Sequence, residues 1–259
     1  MAYTYKPTPP YRPGQKEPYK ISRSKIELYK QCPRCFWLDA RMKIKRPDSP
    51  PLNLNKAIDQ LLKKEFDVYR ANGQPHPIMI EHQINAVPFQ HADLDKWREN
   101  FVGVGHLHAA TNLFVFGAVD DIWVNEDGEL IVVDYKATAK STEVSIDAAW
   151  QISYKRQMEI YQWLLRKNGF KVSPTGIFVY TNGRLDLSDF SNKLEFMTKL
   201  IAYNGNDEWI EDTLTSIKSC LEGDIPEVGQ AAMGGVCDFC SYAKSRTKMT
   251  LNLIGVKSK

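Results

Sequence analysis

Apolar and polar positions along the 259-residue chain fall into segments with two distinct periods. Leu54 to Tyr69 carries Ile58, Leu61, Leu62, Phe66 and Tyr69 at intervals of three and four, which predicts a long helix with one stripe against a core. Asp147 to Lys167 repeats the pattern through Ala148, Ile152, Met158, Tyr161, Leu164 and Leu165 and stops near Asn168-Gly169. Asp207 to Leu221 does the same with Trp209, Ile210, Leu214 and Ile217. Leu130-Ile131-Val132-Val133 is a continuous apolar run, the signature of a strand covered on both faces and therefore central in a sheet. It lies in Glu129 to Ala137, the second arm of a hairpin whose first arm falls within Leu107 to Val124, with Asp127-Gly128 supplying the positive φ of the turn. Gly176 to Tyr180 reads as another buried strand, ending at an Asn182-Gly183 turn. Leu194 to Tyr203 fits either period, and Gly73 to Gly105 shows none.

Near the start, Ser24-Lys25-Ile26-Glu27 fits a capping box opening a short helix, which Cys32-Pro33 should end or distort. Arg41 to Pro51 gathers Lys43, Lys45 and Arg46 and then Pro47, Pro50 and Pro51, a basic loop. Strands alternating with helices predict an α/β fold, a mixed central sheet flanked by helices.

Composition narrows the class. Apolar residues make up 43% and charged residues 25%, as in globular proteins, and no apolar run approaches the roughly 20 residues of a membrane span. One domain over residues 21–242 is expected, between a proline-rich extended tail, residues 1–20, and a basic tail, residues 243–259. The first of these lacks the apolar core of a secretory signal, which predicts a cytoplasmic protein with reduced cysteines. A net charge of +3 is too small to argue for nucleic acid by itself. There is no G-x-x-x-x-G-K-[ST] phosphate loop, so the expectation is that any helicase working with this chain would be a separate protein.

Two constellations carry candidate chemistry. On the second hairpin arm Asp134 and Lys136 are two residues apart and share a face, and pairing brings Asp120 beside them. Two carboxylates in one small space raise each other's pKa unless a cation sits between them, and their hard oxygens suit Mg²⁺ or Mn²⁺. Read from spacing alone, Asp134 and Lys136 also fit a plain same-face salt bridge. The second constellation is Cys32-x-x-Cys35 and Cys237-x-x-Cys240, two pairs separated by almost the whole chain, which together supply four thiolates. Such a group would clamp the two ends of the chain together, whereas Cys220 reads as a small apolar side chain. The histidines, His76, His82, His91, His106 and His108, show no metal-binding spacing.

Cys32-Pro33-Arg34-Cys35-Phe36, Gly117-x-x-Asp120, Asp134-Tyr135-Lys136, Gln157-x-x-x-Tyr161 and the C-terminal cysteine pair, in that order, resemble the PD-(D/E)xK nuclease superfamily. Within it they are most similar to the RecB-like branch, which includes CRISPR-associated iron-sulfur nucleases. The resemblance implies a restriction-endonuclease-like fold and metal-dependent hydrolysis of DNA in repair, recombination or defence. Asp120 and Asp134, with the Tyr135 carbonyl, would hold Mg²⁺ or Mn²⁺; Lys136 would orient the attacking water or stabilise charge on the phosphorane; Gln157 and Tyr161 would lie beside the substrate strand. The branch has a histidine ligand on its first long helix, and Asp59 stands at that place here. The resemblance also implies a [4Fe-4S] cluster at the four cysteines, although its iron-sulfur members take one ligand from the N-terminal side and three from the C-terminal side. Zn²⁺ and free thiols fit the same residues. The partners implied are DNA and a separate helicase or repair or defence protein; the alternative is a nuclease-like module that binds DNA or protein without turnover.

Overall fold

The computed structural model describes residues 8–231 and 234–255. In chain order the elements are β1 (Tyr19–Ser22), α1 (Arg23–Gln31), α2 (Pro33–Met42), α3 (Asn53–Ala71), α4 (Pro77–Glu81), β2 (Ala86–Pro88), α5 (Leu94–Trp97), β3 (Val104–His108) and β4 (Leu113–Gly117). They continue with β5 (Asp121–Asn125), β6 (Leu130–Thr138), a 3-10 turn (Ala149–Gln151), α6 (Ile152–Lys167), β7 (Thr175–Gly183), β8 (Phe196–Asn204), α7 (Trp209–Glu222) and α8 (Asp238–Leu253). A three-stranded sheet has the order β1-β4-β3 and a five-stranded sheet the order β2-β5-β6-β7-β8. The chain divides into two compact units, one made of the residues up to Ser49, Leu107–Phe114 and those from Glu211 on, the other of Pro50–His106 and Val115–Ile210.

The second unit is the expected mixed sheet flanked by helices. β5 pairs antiparallel with both β2 and β6, β6 parallel with β7, and β7 antiparallel with β8. The parallel β6–β7 step needs a crossover, which α6 supplies. Central placement explains the apolar run of β6: Leu130, Ile131, Val132 and Val133 are all buried because helices cover both faces. Ile131, Val133 and Tyr135 join Phe66 of α3, Met79 of α4 and Trp123 in one buried cluster. The ring of Phe66 stacks on Trp123 at 5.4 Å and on His76 at 4.4 Å. His76 is thus a packing residue, as the lack of metal spacing among the histidines led us to expect. The β5–β6 turn needs glycine at Gly128, whose φ is +73°, and Asn125 Oδ1 closes the loop by accepting from Glu129 N at 2.8 Å.

Several boundaries differ from the sequence reading. The cap of α1 is Ser22, two residues earlier than the Ser24 box, and its hydroxyl accepts from Lys25 N at 3.4 Å. Pro33 ends α1 as expected but also opens α2, since a proline at the first helical position gives up no hydrogen bond. Residues 147–151 precede α6 rather than belonging to it, the last three as the 3-10 turn, and β7 runs through Asn182-Gly183 because β8 pairs with it as far as Gly183. That pairing also decides Leu194 to Tyr203, which becomes strand β8. The open segment Gly73 to Gly105 holds α4, β2 and α5, each too short for a period to show.

In the first unit, the segment read as a proline-rich tail carries Tyr11 and Tyr19, both buried and in edge-to-face contact at 5.2 Å. The Tyr11 hydroxyl donates to Glu222, whose other oxygen accepts from Gly14 N at 2.9 Å. Hydrogen bonds from Lys218 and Tyr11 hold the Glu222 carboxyl down at about 2. A carboxyl whose folded pKa lies below its unfolded value of about 4.3 adds stability above that value and loses it as the pH falls towards 2. Because the pair is about one-third exposed, the contribution is about 0.5–1 kcal/mol. Glu222→Gln is therefore expected to be less stable than wild type at pH 6 in urea unfolding, with the gap closing between pH about 4 and about 2; a gap that persists at pH 2 refutes this.

Candidate active site and metal centre

The hairpin β5–β6 sets two of the predicted acids, Asp120 and Asp134, at facing register positions in the second unit. Asp121 pairs with Val133, so Asp120 lies just before the strand and level with Asp134 and Tyr135. Asp120 Oδ2 accepts from Tyr135 N at 3.0 Å. Asp134 is fully buried, and Lys136 forms an ion pair with it from the same face of β6. The crossover helix α6 delivers Gln157, whose amide donates to Asp134 Oδ1 at 2.7 Å and approaches the Tyr161 hydroxyl at 3.3 Å. Both Gln157 and Tyr161 are buried, so what the structure displays is a clamp on Asp134. The Lys136 ammonium also sits 4.5 Å above the ring of Tyr154, whose phenol is pushed up by burial and by the charge of Asp134.

Asp59 approaches from α3. Lys63, one turn further along, contacts Asp59 at 2.9 Å and Asp120 Oδ1 at 3.5 Å, so one ammonium bridges the two carboxylates. Burial first, and the charge of Asp120 second, push the Asp59 carboxyl above its ordinary value. The two carboxylates share one space, and Lys63 supplies the positive charge between them. Glu65 turns elsewhere, its carboxylate 2.9 Å from His76 Nε2.

Asp121 has a different part despite being adjacent to Asp120. Its carboxylate, fully buried, accepts from Arg98 at 2.8 Å, from Ile122 N at 2.8 Å and from the Tyr135 hydroxyl at 2.7 Å, and pairs with Arg70. The Tyr135 phenol is pushed well up by burial and by this carboxylate. With its charge already met on every side, Asp121 is a structural anion, and strand alternation is the reason for the split. Asp121→Asn is expected to cost about 3–5 kcal/mol by leaving two buried guanidinium groups short of a counter-charge. Its thermal midpoint should fall while any activity per folded molecule survives.

The first unit holds the cysteines. Cys32 is the residue between α1 and α2, Cys35 lies in the first turn of α2, Cys237 stands at the start of α8 and Cys240 is in its first turn. Their sulfur atoms all lie within 4.8 Å of one another, and among the described residues this is the group of histidine, cysteine or acidic side chains gathered so tightly. None is in a disulfide, and Cys220 lies apart, half-buried. Backbone amides point at Cys32 Sγ, Gly229 N at 3.2 Å and Cys35 N at 3.5 Å, and the Cys32 thiol is lowered to about 7 by these donors against the opposing effect of burial. Only glycine permits the close approach at Gly229, where a Cβ would stand 2.3 Å from the Gln31 carbonyl oxygen. Four soft donors with amides aimed at one of them fit a thiolate-loving metal.

Sequence reasoning missed Lys63, Arg46 and Gly229. Lys63 was visible as the i+4 neighbour of Asp59. Arg46 and Gly229 gave no signal, since their positions depend on where distant segments meet.

The profile of the PD-(D/E)XK nuclease superfamily matches residues 54–245, and the chain belongs to that superfamily. The match takes in the hairpin, α6 and the second cysteine pair, and begins after the first. A comparison with curated proteins returns no match. Among solved structures, one titled "Crystal structure of SSO0001" covers 82% of this chain and 80% of its own, at 18% identity and a TM-score of 0.42, a likeness too loose to carry an argument. Members of the superfamily use divalent metals, and the four clustered cysteines form a group able to bind one. No helix among the described residues is long and apolar enough to cross a membrane.

Proposed function

We propose that the chain is a divalent-metal-dependent DNA nuclease of the RecB-like branch, acting in the cytoplasm in DNA repair, recombination or defence, with a separate helicase or repair or defence protein as its partner. The observation that carries this reading is the convergence of Asp120, Asp134, Lys136 and Gln157 at one end of the β5–β6 hairpin, in a chain of this superfamily. Asp120 and Asp134, with Asp59 and the Tyr135 carbonyl, would hold Mg²⁺ or Mn²⁺. Such an ion offsets the charge of a phosphodiester and lowers the pKa of its bound water. The chain's own residues do the rest. Gln157 fixes the Asp134 carboxylate through Oδ1, and Lys136, steadied by the Tyr154 ring, supplies a cation for orienting the attacking water or for the charge that builds on phosphorus. Gln157 and Tyr161 belong to this reading as residues bordering the substrate strand. At the four cysteines the same reading places a [4Fe-4S] cluster, with Zn²⁺ as the alternative.

A second reading, a nuclease-like module that grips DNA or protein without cleaving, is favoured by one contact: the Lys63 ammonium already bridges Asp59 and Asp120. Incubation of single- and double-stranded DNA with and without Mg²⁺ or Mn²⁺ separates the two. Cleavage that requires the metal supports the nuclease; retention of DNA without cleavage supports the module.

A further inference from the structure

The basic stretch from Arg41 to Pro51 reads as a solvated loop, yet one of its cations is turned inward within the first unit. Arg46 donates from Nη2 to Cys237 Sγ at 3.4 Å and from Nη1 to Gln31 Oε1 at 2.8 Å. The same guanidinium lies over the Phe239 ring at 4.6 Å, so its plane is held by an amide on one side and an aromatic face on another. Gln31 is itself braced, its amide donating to Glu27 at 3.2 Å. Gln31 immediately precedes Cys32, and Phe239 lies between Cys237 and Cys240. Arginine is thus fixed by neighbours of both cysteine pairs and aimed at a sulfur.

Four thiolates around a divalent ion leave two negative charges in excess, and a buried site pays for them in lost hydration. A guanidinium hydrogen-bonded to one thiolate halves that excess and keeps its donor in place, as partners of metal ligands elsewhere do. We infer that Arg46 is the counter-charge of the four-cysteine metal site, a positioning residue that sets how tightly the site retains its metal. This rests on the reading that Cys32, Cys35, Cys237 and Cys240 hold a metal. Gly229 N and Cys35 N serve Cys32 in the same sense without charge, which leaves Arg46 as the cation seen donating to these sulfurs among the described residues.

The test uses the full chain, stripped of metal under reducing conditions and titrated with Co²⁺, whose thiolate-to-metal absorption reports coordination by sulfur directly. Arg46→Met keeps the stem against Phe239 and removes the charge; it is expected to weaken Co²⁺ binding about 10–100-fold and to shift the charge-transfer band. Arg46→Lys keeps the charge but not the planar fork and should lose less. Gln31→Leu, which removes only the brace, should fall between Arg46→Met and wild type, and it serves as the decisive variant if Arg46→Met does not fold. Co²⁺ affinity and band position unchanged in Arg46→Met, or in Gln31→Leu where that variant must serve, overturn the role of Arg46. A wild-type chain with no thiolate-to-cobalt band, and with no iron or zinc as purified, overturns the cysteine reading itself, and this inference with it.

Discussion

Asp134→Ala is expected to lower metal-dependent DNA cleavage by at least about 10³-fold, roughly 4 kcal/mol of transition-state stabilisation, in an assay with Mg²⁺ or Mn²⁺. The size follows from how the carboxylate is held. It is fully buried, one oxygen is fixed by Gln157 at 2.7 Å, and Lys136 is paired with it. Asp121 is not free to replace it, because it is committed to Arg70, Arg98 and Tyr135. Lys136→Ala should produce a loss of similar order with less effect on metal affinity, since it removes the cation near the reacting phosphate and leaves the oxygens. Circular dichroism on the same samples separates lost chemistry from lost fold. If both variants cleave like wild type, the hairpin is not the catalytic site, whatever the superfamily.

Cys237→Ala is expected to abolish metal binding at the four sulfur atoms and to destabilise the chain without changing Asp120, Asp134 or Lys136. A site that holds its metal at about 1,000 times the dissociation constant contributes about 4 kcal/mol, which for a chain of this size corresponds to roughly 8–16 °C in thermal midpoint. The loss should be large because Cys237 stands at the start of α8 and Cys240 lies in its first turn, while no residue of α8 is buried. Without the sulfur group that helix has little to hold it. Cys220→Ala is the matching control: that thiol is half-buried, pushed up to about 11 by burial, and lies outside the group, so metal content should not change. Metal analysis with a visible spectrum on the purified protein separates iron-sulfur from zinc. A midpoint unchanged in Cys237→Ala, together with no bound iron or zinc in wild type, removes the metal site from the account.

The sequence by itself determined the sheet-forming and helix-forming segments long enough to show a period: the apolar run of β6, the helices α3, α6 and α7, and the Asp127-Gly128 turn, although Leu61 and Ile152 of the expected stripes are exposed. It also determined the pair Asp134 and Lys136, because strand alternation is local and puts residues two apart on one face. Cysteine spacing, likewise local, exposed the four sulfur donors. Short elements were not legible, as three to five residues in β2, α4 and α5 are fewer than a period needs. Nor was β8, whose strand state was decided by pairing along β7 from Thr175 to Gly183.

Only the tertiary structure decided what each charged residue meets. Asp120 and Asp121 are adjacent in sequence, yet one opens towards Asp59 and Lys63 while the other is sealed between two arginines. Arg46 looked like one of several loop cations until Gln31 and Phe239 fixed it against Cys237. The physical reason is the same in each case. Periodicity reports which face of an element is apolar, whereas the partner of a charge is set by segments that meet across tens or hundreds of residues, and no local pattern encodes that meeting.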